Sequence, residues 1–388
     1  MAIALAATPL YDTVFRIHIR AFPTTLLEVL LVPAILVGLW AGWGQLPWRN
    51  PYTLPAAILL VGATLNTYFT PNVQAALGIW KAYFVEPLLA GVVIAWLAQE
   101  RERVRLLLAG LAVAGLIVAI ANLANFAEAL IQHVNVAHAP PVALYRTANA
   151  IPLFLVPLDA FALAIALYSD DRRERILAAA FFAITGLAVL ASLSRAGWAG
   201  FAVMAVAIAL FHPRRRLVAL PIAVGIVLAL LIPATRRRIL TEFDLSSPDN
   251  TITLRLSLWQ STLNMLAHRP FFGGGLAGFR TSLVPYQVRT YSETQVYPHN
   301  VFLTFWSETG LVGLTGFVWT ALQVFRTALR GLRSGSWARA VSIGLLGAII
   351  AITVHGQFDV PYFKNDLAVE FWALLGIQLG ALLEAKNA

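Results

Sequence analysis

The stretch ILAAAFFAITGLAVLASLSRAGWAGFAVMAVAIALF, residues 176–211, decides the fold. It is almost continuously apolar, and as one helix it would be about 54 Å long. The hydrocarbon core of a membrane is only about 30 Å thick. The polar break at residues 192–198 therefore divides the stretch, and we predict two membrane spans that meet in a turn at Arg195.

The composition of the whole chain agrees with a membrane protein. Of 388 residues, 59% are hydrophobic and 12% are charged, and a soluble domain carries about twice that charged fraction. The net charge of +9 does not indicate nucleic-acid binding, because membrane proteins collect Lys and Arg in cytoplasmic loops. The absence of cysteine excludes disulfides and cysteine-ligated metals. We predict an all-α, polytopic bundle of transmembrane helices.

Hydrophobic runs predict about eleven spans, with ten to twelve allowed. Residues 1–20 mix Arg16, His18 and Arg20 with apolar residues, which indicates an interfacial or partial helix. Two spans lie within 176–211, and the others are 22–43, 53–70, 75–98, 104–131, 149–168, 217–233, 299–325, 338–358 and 367–384.

The basic loops give an orientation. The clusters at 101–105, 172–175, 214–216 and 326–339 fall on one side, which we predict to be cytoplasmic. A long polar segment, 234–298, then lies on the opposite face. Within one membrane domain we expect N-terminal helices over 1–233, this external segment, and C-terminal helices over 299–388.

The external segment contains an amphipathic helix near residues 254–266, and a glycine-rich turn at 273–275 follows it. The helix either roofs a cavity, which we favour, or lies on the lipid interface. Its apolar stripe consists of Leu258, Trp259, Thr262, Leu263 and Leu266.

The segment YPHNVFLTFWSETGLVG, residues 297–313, begins a long apolar helix at its external end. His299 stands at the start of this helix and Glu308 lies within it. A carboxylate at membrane depth usually faces protein or a water-filled cavity. The alternative is that His299 is an ordinary interfacial residue and Glu308 a buried packing acid.

The external face collects Arg195, Arg255 and His299, with Arg269 nearby in sequence. Guanidinium groups bind phosphate in a bidentate manner and stay charged. A histidine can accept a proton at ambient pH. This combination fits group transfer from a phosphate-linked donor. For Arg195 the alternative is a side chain that snorkels to the interface.

Other charged residues give weaker indications. Lys81 and Glu86 are five residues apart, so on an α-helix they face different sides and are expected to have separate partners. Asp359 and Asp366 bracket a loop, where they bind a cation or, more simply, cap helices or pair with Lys364. No metal-ligand spacing stands out on the external side.

Three pieces of sequence resemble the bacterial O-antigen ligase and polymerase superfamily of integral membrane glycosyltransferases. The resemblance implies a GT-C-like fold and an undecaprenyl-diphosphate-linked glycan donor. It also implies transfer on the periplasmic face of the inner membrane without a nucleotide sugar, a cofactor or a required metal. The pieces are residues 194–198, residues 255–259 with 268–275, and residues 298–300 continuing through Leu303, Glu308, Gly310 and Gly313.

By this resemblance Arg195 and Arg255 contact the diphosphate, and His299 is the general base. Further substrate contacts are expected from Arg269, Asn300, Tyr297 and Glu308. The acceptor is the lipid A core in a ligase, which we favour, another lipid-linked glycan in a polymerase, or a protein hydroxyl. A transporter of lipid-linked glycans is the rival from another class, and a purely structural membrane protein is a more distant one.

Overall fold

Helices are the main elements of the described residues, as the apolar runs predict. Two three-residue strands, β1 (Ile17–Ile19) and β2 (Phe22–Thr24), pair antiparallel and are the exception. The polytopic helical fold is confirmed, and the small hairpin is an addition to it. This computed structural model describes residues 1–10, 17–19, 22–136, 140–231, 233–242, 250–291 and 295–387.

The helix boundaries follow the predicted spans closely. The first eight helices are α1 (Ala2–Ala6), α2 (Leu26–Ala41), α3 (Thr53–Asn66), α4 (Val73–Ile79), α5 (Glu86–Leu97), α6 (Arg101–Ile131), α7 (Ala150–Tyr168) and α8 (Arg172–Ala191). The others are α9 (Arg195–Leu210), α10 (Arg215–Leu231), α11 (Pro233–Leu240), α12 (Thr251–His268), α13 (Phe279–Ser282), α14 (Val301–Gly331), α15 (Ser336–His355) and α16 (Asn365–Asn387).

Within the described residues, seven stretches are long and apolar enough to cross a membrane. They are Val73–Leu97, which contains α4 and α5, and the helices α6, α7, α8, α14, α15 and α16. The apolar helices α2, α3 and α9 are shorter, and α10 adds 17 residues. The total of about eleven spans stays a prediction.

The predicted break at Arg195 is confirmed. Helix α8 ends at Ala191 and α9 begins at Arg195. The hydroxyl of Ser194 accepts the backbone N–H of Gly197 at 3.2 Å, so it caps α9. Leu193 has a left-handed φ of 54° in the turn between the two helices.

A π-helix, Trp80–Val85, joins α4 to α5. In a π-helix residue i bonds to residue i+5, so side chains five apart share a side. Lys81 Nζ lies 3.6 Å from Glu86 Oε1, and it lies 2.9 Å from Glu28 Oε1 on α2. The expectation of separate partners for Lys81 and Glu86 is wrong, because it assumed ordinary α-helical geometry.

Helix α14 packs closely along α3 and is interrupted at Gly310. A Cβ atom on Gly62 of α3 would lie 2.2 Å from the backbone nitrogen of Gly313. Gly310 has φ 66° and ψ −174°, which breaks the helix. The N–H of Leu311 donates to the carbonyl of Phe271 at 2.9 Å. The loop that follows α12 is therefore seated in the kink of α14.

The extreme N-terminus is packed into the bundle. In α1, Ala4 and Leu5 are buried, and α1 lies so close to α6 that a Cβ atom on Gly110 would meet the carbonyl of Ala2. Of the two predicted alternatives for residues 1–20, an interfacial or a partial helix, residues 2–6 form a short partial helix that is buried in the bundle. Arg16 and Arg20, which motivated that prediction, lie outside the described residues.

Helix α12 buries one face as predicted, with a difference in detail. Leu258, Thr262 and Leu266 are buried, but Leu263 is 49% exposed. Met265 is buried in its place. A helical face is only about 100° wide. The side of α12 that packs against the rest of the protein includes Met265 and leaves out Leu263.

Candidate active site

His299 is held in an unusual backbone conformation directly before α14. Its φ is 52°, in the left-handed region that non-glycine residues seldom adopt. Asn300 then caps α14, because its Oδ1 accepts the N–H groups of Phe302 and Leu303 at 3.1 Å each. The left-handed turn and the cap together fix the backbone at the start of α14. That side chain is 38% exposed.

The imidazole of His299 meets a carboxylate from another segment. His299 Nδ1 lies 3.3 Å from Asp359 Oδ1. The same Oδ1 accepts the N–H of Val360 at 2.9 Å. Because Asp359 accepts, Nδ1 carries the hydrogen, and Nε2 of the neutral ring is left with its lone pair. This is the orientation that a general base needs.

Asp359 remains ionised although it is buried. Burial acts to raise the pKa of its carboxyl, but the hydrogen bond and charge of His299, with further help from His355 and the Val360 N–H, hold that pKa below its ordinary value. The His299–Asp359 pair therefore has a fixed negative charge behind the imidazole. Such a charge stabilises the imidazolium that forms when the ring takes up a proton.

Hydrogen bonds to backbone carbonyls hold the start of α14 against the loop after α15 and against α12. The N–H of Val301 donates to the Gly356 carbonyl at 2.6 Å. The indole Nε1 of Trp259 donates to the carbonyl of Pro298 at 3.0 Å. The start of α14, the loop after α15 and helix α12 thus form one frame around His299.

Arg255 of α12 belongs to this frame. Its Nε donates to the carbonyl of Phe358 at 2.9 Å, next to Asp359, and its Nη1 donates to the hydroxyl of Thr251. Burial lowers the pKa of Arg255 from its ordinary value, and the charges of Asp359 and Glu242 oppose that shift. The guanidinium is nevertheless always charged.

Arg195, at the first residue of α9, meets Glu242. Arg195 Nη2 lies 2.5 Å from Glu242 Oε1, and Nη1 donates to the Thr241 hydroxyl at 3.2 Å. Glu242 also accepts the N–H groups of Thr251 and Ile252, so it joins α9 to the start of α12. The guanidinium of Arg195 is therefore paired with a carboxylate of the protein. This differs from the alternative in which the side chain snorkels to the membrane interface.

Both arginines line one cavity of about 380 Å³. Glu242, Asn149 and Phe358 line it as well. Its volume lies within the range of small-molecule sites, and two guanidinium groups outnumber one carboxylate, so it favours an anion. Thr251, Ile252 and Arg255, at the start of α12, form part of the cavity wall, which agrees with the predicted roof, and the placement of α12 relative to the lipid interface stays a prediction.

The structure brings together Arg195, Arg255 and His299, the three residues that the sequence singles out most strongly. His299 itself does not line the cavity, but its partner Asp359 directly follows Phe358, which does. The other expected contacts are distributed differently.

Arg269 lies at the far end of α12, fourteen residues or about 21 Å along the helix from Arg255. Its Nη1 donates to the hydroxyl of Ser282 at 3.2 Å. The ring of Tyr297 is 5.5 Å from that of Phe363, within a cluster of aromatic side chains. Neither residue lines the arginine cavity.

Glu308 anchors the glycine-rich turn. Its Oε2 accepts the N–H of Ala277 at 2.5 Å, and its Oε1 accepts the N–H of Phe279 at 3.2 Å. Asn300 is likewise engaged, through its cap and through Nδ2, which donates to the Gln357 carbonyl at 3.4 Å. Glu308 therefore positions the backbone of the glycine-rich turn, and Asn300 positions the backbone next to His299.

The described residues contain no cluster of three or more His, Asp or Glu side chains that could hold a metal ion. Asp359 pairs with His299, whereas the sequence predicted that it binds a cation, caps a helix or pairs with Lys364. Asp366 accepts the hydroxyl of Tyr145 at 2.9 Å, and Lys364 stacks on the Tyr145 ring at 5.2 Å.

Sequence reasoning missed Glu242 and the pairing of Asp359. The sequence does contain a signal for Asp359, because it is an acid that directly follows the apolar span 338–358. Glu242 gives no comparable signal, because it stands in the long polar segment among other charged residues.

Comparison with known protein families finds a match over part of the chain. Residues 179–318 match a family model described as O-antigen ligase. This region includes Arg195, Arg255, His299 and Glu308, and it ends before Asp359. No curated protein matches the chain.

Proposed function

Because the chain belongs to the O-antigen ligase superfamily of ligase- or polymerase-type membrane glycosyltransferases, we propose that it transfers a glycan from a polyprenyl diphosphate to an acceptor hydroxyl. The observation that carries the proposal is the cavity shared by Arg195 and Arg255, with His299 fastened to the same wall through Phe358 and Asp359. Ligation to the lipid A core is our preferred reaction.

The proposed reaction is one direct displacement. His299 Nε2 takes the proton of the acceptor hydroxyl, and the hydroxyl oxygen forms a bond to the anomeric carbon. The bond from that carbon to the diphosphate oxygen breaks, and the diphosphate leaves with the electron pair. Arg195 and Arg255 bind the departing charge. One displacement inverts the anomeric centre.

Glu242 has a defined part in this proposal. Its carboxylate holds Arg195 in the cavity wall before the donor arrives and leaves one net positive charge there. The diphosphate oxygens then compete with Glu242 for the guanidinium, which can bind two anionic groups through separate nitrogens. The basic loops at the opposite end of the bundle support a periplasmic location for this site.

The test is transfer by the purified protein in detergent micelles, with a polyprenyl-diphosphate glycan and lipid A core as substrates. We expect wild type to form the linked product, His299→Ala to form none, and His133→Ala, which alters an exposed histidine, to match wild type. Micelles have no compartments, so product formation cannot be a consequence of transport.

Gene deletion identifies the acceptor. If deletion leaves the lipid A core without glycan while long chains accumulate on the polyprenyl carrier, the protein is a ligase. If single repeat units appear on the core instead, it is a polymerase. Loss of glycan from proteins alone indicates protein glycosylation. Donor trapped on the cytoplasmic face, without transfer in micelles, contradicts the proposal and favours the transporter. Full restoration by His299→Ala rejects the mechanism for every acceptor.

A further inference from the structure

The end of the bundle farthest from His299 carries a second group of cationic side chains. The two groups lie at opposite ends of α14, which begins next to His299 at Val301 and ends at Gly331. Helices α6 and α15 begin at this far end, and α7 ends there, at Tyr168. The basic loops predict that this end faces the cytoplasm, at the level of lipid headgroups.

Three buried donor atoms at this end have no hydrogen-bond acceptor among the described residues. They are Nε of Arg101, Nε1 of Trp337 and Nε of Arg339. Trp337 as a whole is 8% exposed. Buried donors are nearly always paired, and an indole N–H can only donate. Each of these atoms can therefore donate to an acceptor from outside the described residues.

The donors lie in adjacent elements. The guanidinium carbon of Arg101 is 4.9 Å from the centre of the Trp337 ring. Arg339 lies two residues after Trp337 in the first turn of α15, and its guanidinium carbon is 5.9 Å from the ring of Tyr168. No side chain caps the N-terminus of α15, so its free N–H groups point toward the same end.

The neighbouring carboxylate has no capacity left for these donors. Glu174 accepts two bonds from Nη2 of Arg101, one from Nε of Arg105 and one from the hydroxyl of Ser169. Arg105 also reaches Asp171 at 3.2 Å. The acids of this corner are thus occupied, while the three donors are not.

We propose that Arg101, Trp337 and Arg339 form a binding site for a phosphate-bearing anion, namely the headgroup of an anionic phospholipid in the leaflet opposite the active site. A phosphate group offers several acceptor oxygens in a compact tetrahedron, which suits donors from separate helices. Basic pockets between helices at this level bind such headgroups. Free phosphate has the same chemistry and is distinguished by the test.

The test uses the full chain, purified and stripped of lipid in a neutral detergent. Phosphatidylglycerol, phosphatidylcholine with the same acyl chains, and inorganic phosphate are titrated separately. Bound lipid is counted by native mass spectrometry, and the midpoint of thermal unfolding is recorded. We expect phosphatidylglycerol to bind and raise the midpoint, and phosphatidylcholine to do neither.

Two variants remove donors singly. Trp337→Phe keeps a buried ring but loses the N–H, and Arg339→Gln removes a cation from a side chain that is partly exposed. Each is expected to weaken phosphatidylglycerol binding about tenfold. Trp48→Phe and Arg333→Gln, at exposed positions, are the matched controls and should bind as wild type does. Because the two variants are independent, misfolding of one leaves the other as the test.

Each outcome decides the proposal. Equal binding of phosphatidylcholine, or unchanged binding in both variants, overturns it. If inorganic phosphate produces the same midpoint shift and prevents phosphatidylglycerol binding, the site is supported and its ligand is free phosphate. The site lies outside the transfer machinery, so none of these results depends on the proposed function.

Discussion

His299 Nδ1 and Asp359 Oδ1 are 3.3 Å apart, although 60 residues separate them in the sequence. The contact joins the start of α14 to the loop after α15. It fixes the imidazole tautomer, because Nδ1 donates to the carboxylate, and the lone pair of the neutral ring is then on Nε2.

Asp359→Asn should reduce transfer about 10²- to 10⁴-fold, since it removes the contribution of a correctly oriented general base. An amide in this place can donate to Nδ1 and favour the wrong tautomer. The measurement is kcat/KM as a function of pH, with Asp170→Asn, an exposed acid, as the control. A wild-type pH profile in Asp359→Asn would show that the pair has no catalytic part.

Asp359 should also make stability depend on pH. Its folded-state pKa lies below the value of about 3.9 in the unfolded chain. Its stabilisation is complete above that unfolded value and is lost as the pH falls through the lower folded-state pKa. Denaturant unfolding from pH 6 down to pH 3 should show a decline in wild type that is smaller in Asp359→Asn. Parallel curves for the two proteins would contradict this.

Arg195→Lys should lower kcat/KM for the donor about 10- to 100-fold, while the protein stays folded. Arg195 reaches Glu242 and Thr241 through separate nitrogens, and a lysine ammonium cannot reproduce that fork. Steady-state kinetics with varied donor concentration measures the effect, and Arg280→Lys, at an exposed position, serves as the control. Wild-type kinetics would mean that Arg195 only anchors α9.

Glu308→Gln should lower the free energy of unfolding by about 1–3 kcal/mol, because a buried N–H loses its acceptor. The wild-type carboxylate accepts from both Ala277 and Phe279, whereas a glutamine has one acceptor oxygen. Hydrogen exchange of these two amides should accelerate, and Glu100→Gln should leave it unchanged. Unaltered exchange combined with complete loss of transfer would instead support Glu308 as a base.

Gly310→Ala should prevent correct folding or lower the unfolding midpoint sharply. Its φ is 66°, and an added Cβ would lie 2.3 Å from the carbonyl oxygen of Phe271. Gly78→Ala is the matched control, because a Cβ there meets nothing within 4 Å. In α4 that change should be neutral or stabilise by up to about 1 kcal/mol. Thermal unfolding of the two variants side by side gives the answer, and equal midpoints would refute the role of the kink.

Local sequence patterns predicted a large part of this fold. Apolar runs locate the helices because a membrane helix satisfies its own backbone and needs only length and hydrophobicity. The break at Arg195 follows from the length of the apolar stretch and from the polar residues at 192–198, and Ser194 caps α9 through the N–H of Gly197, three residues away. The choice of Arg195, Arg255 and His299 also rested on residue chemistry and on motif order.

Tertiary structure decided which of these residues meet. The pairing of His299 with Asp359 depends on a left-handed backbone at His299 and on the docking of two loops, and neither is encoded in nearby sequence. The Lys81–Glu86 contact required a π-helix, whose extra residue per turn no hydropathy pattern reveals. The sequence by itself determined the helices and the chemistry of the candidate residues, because both depend on neighbours along the chain. The structure alone decided the partners of Arg195 and His299, because packing brings distant segments together.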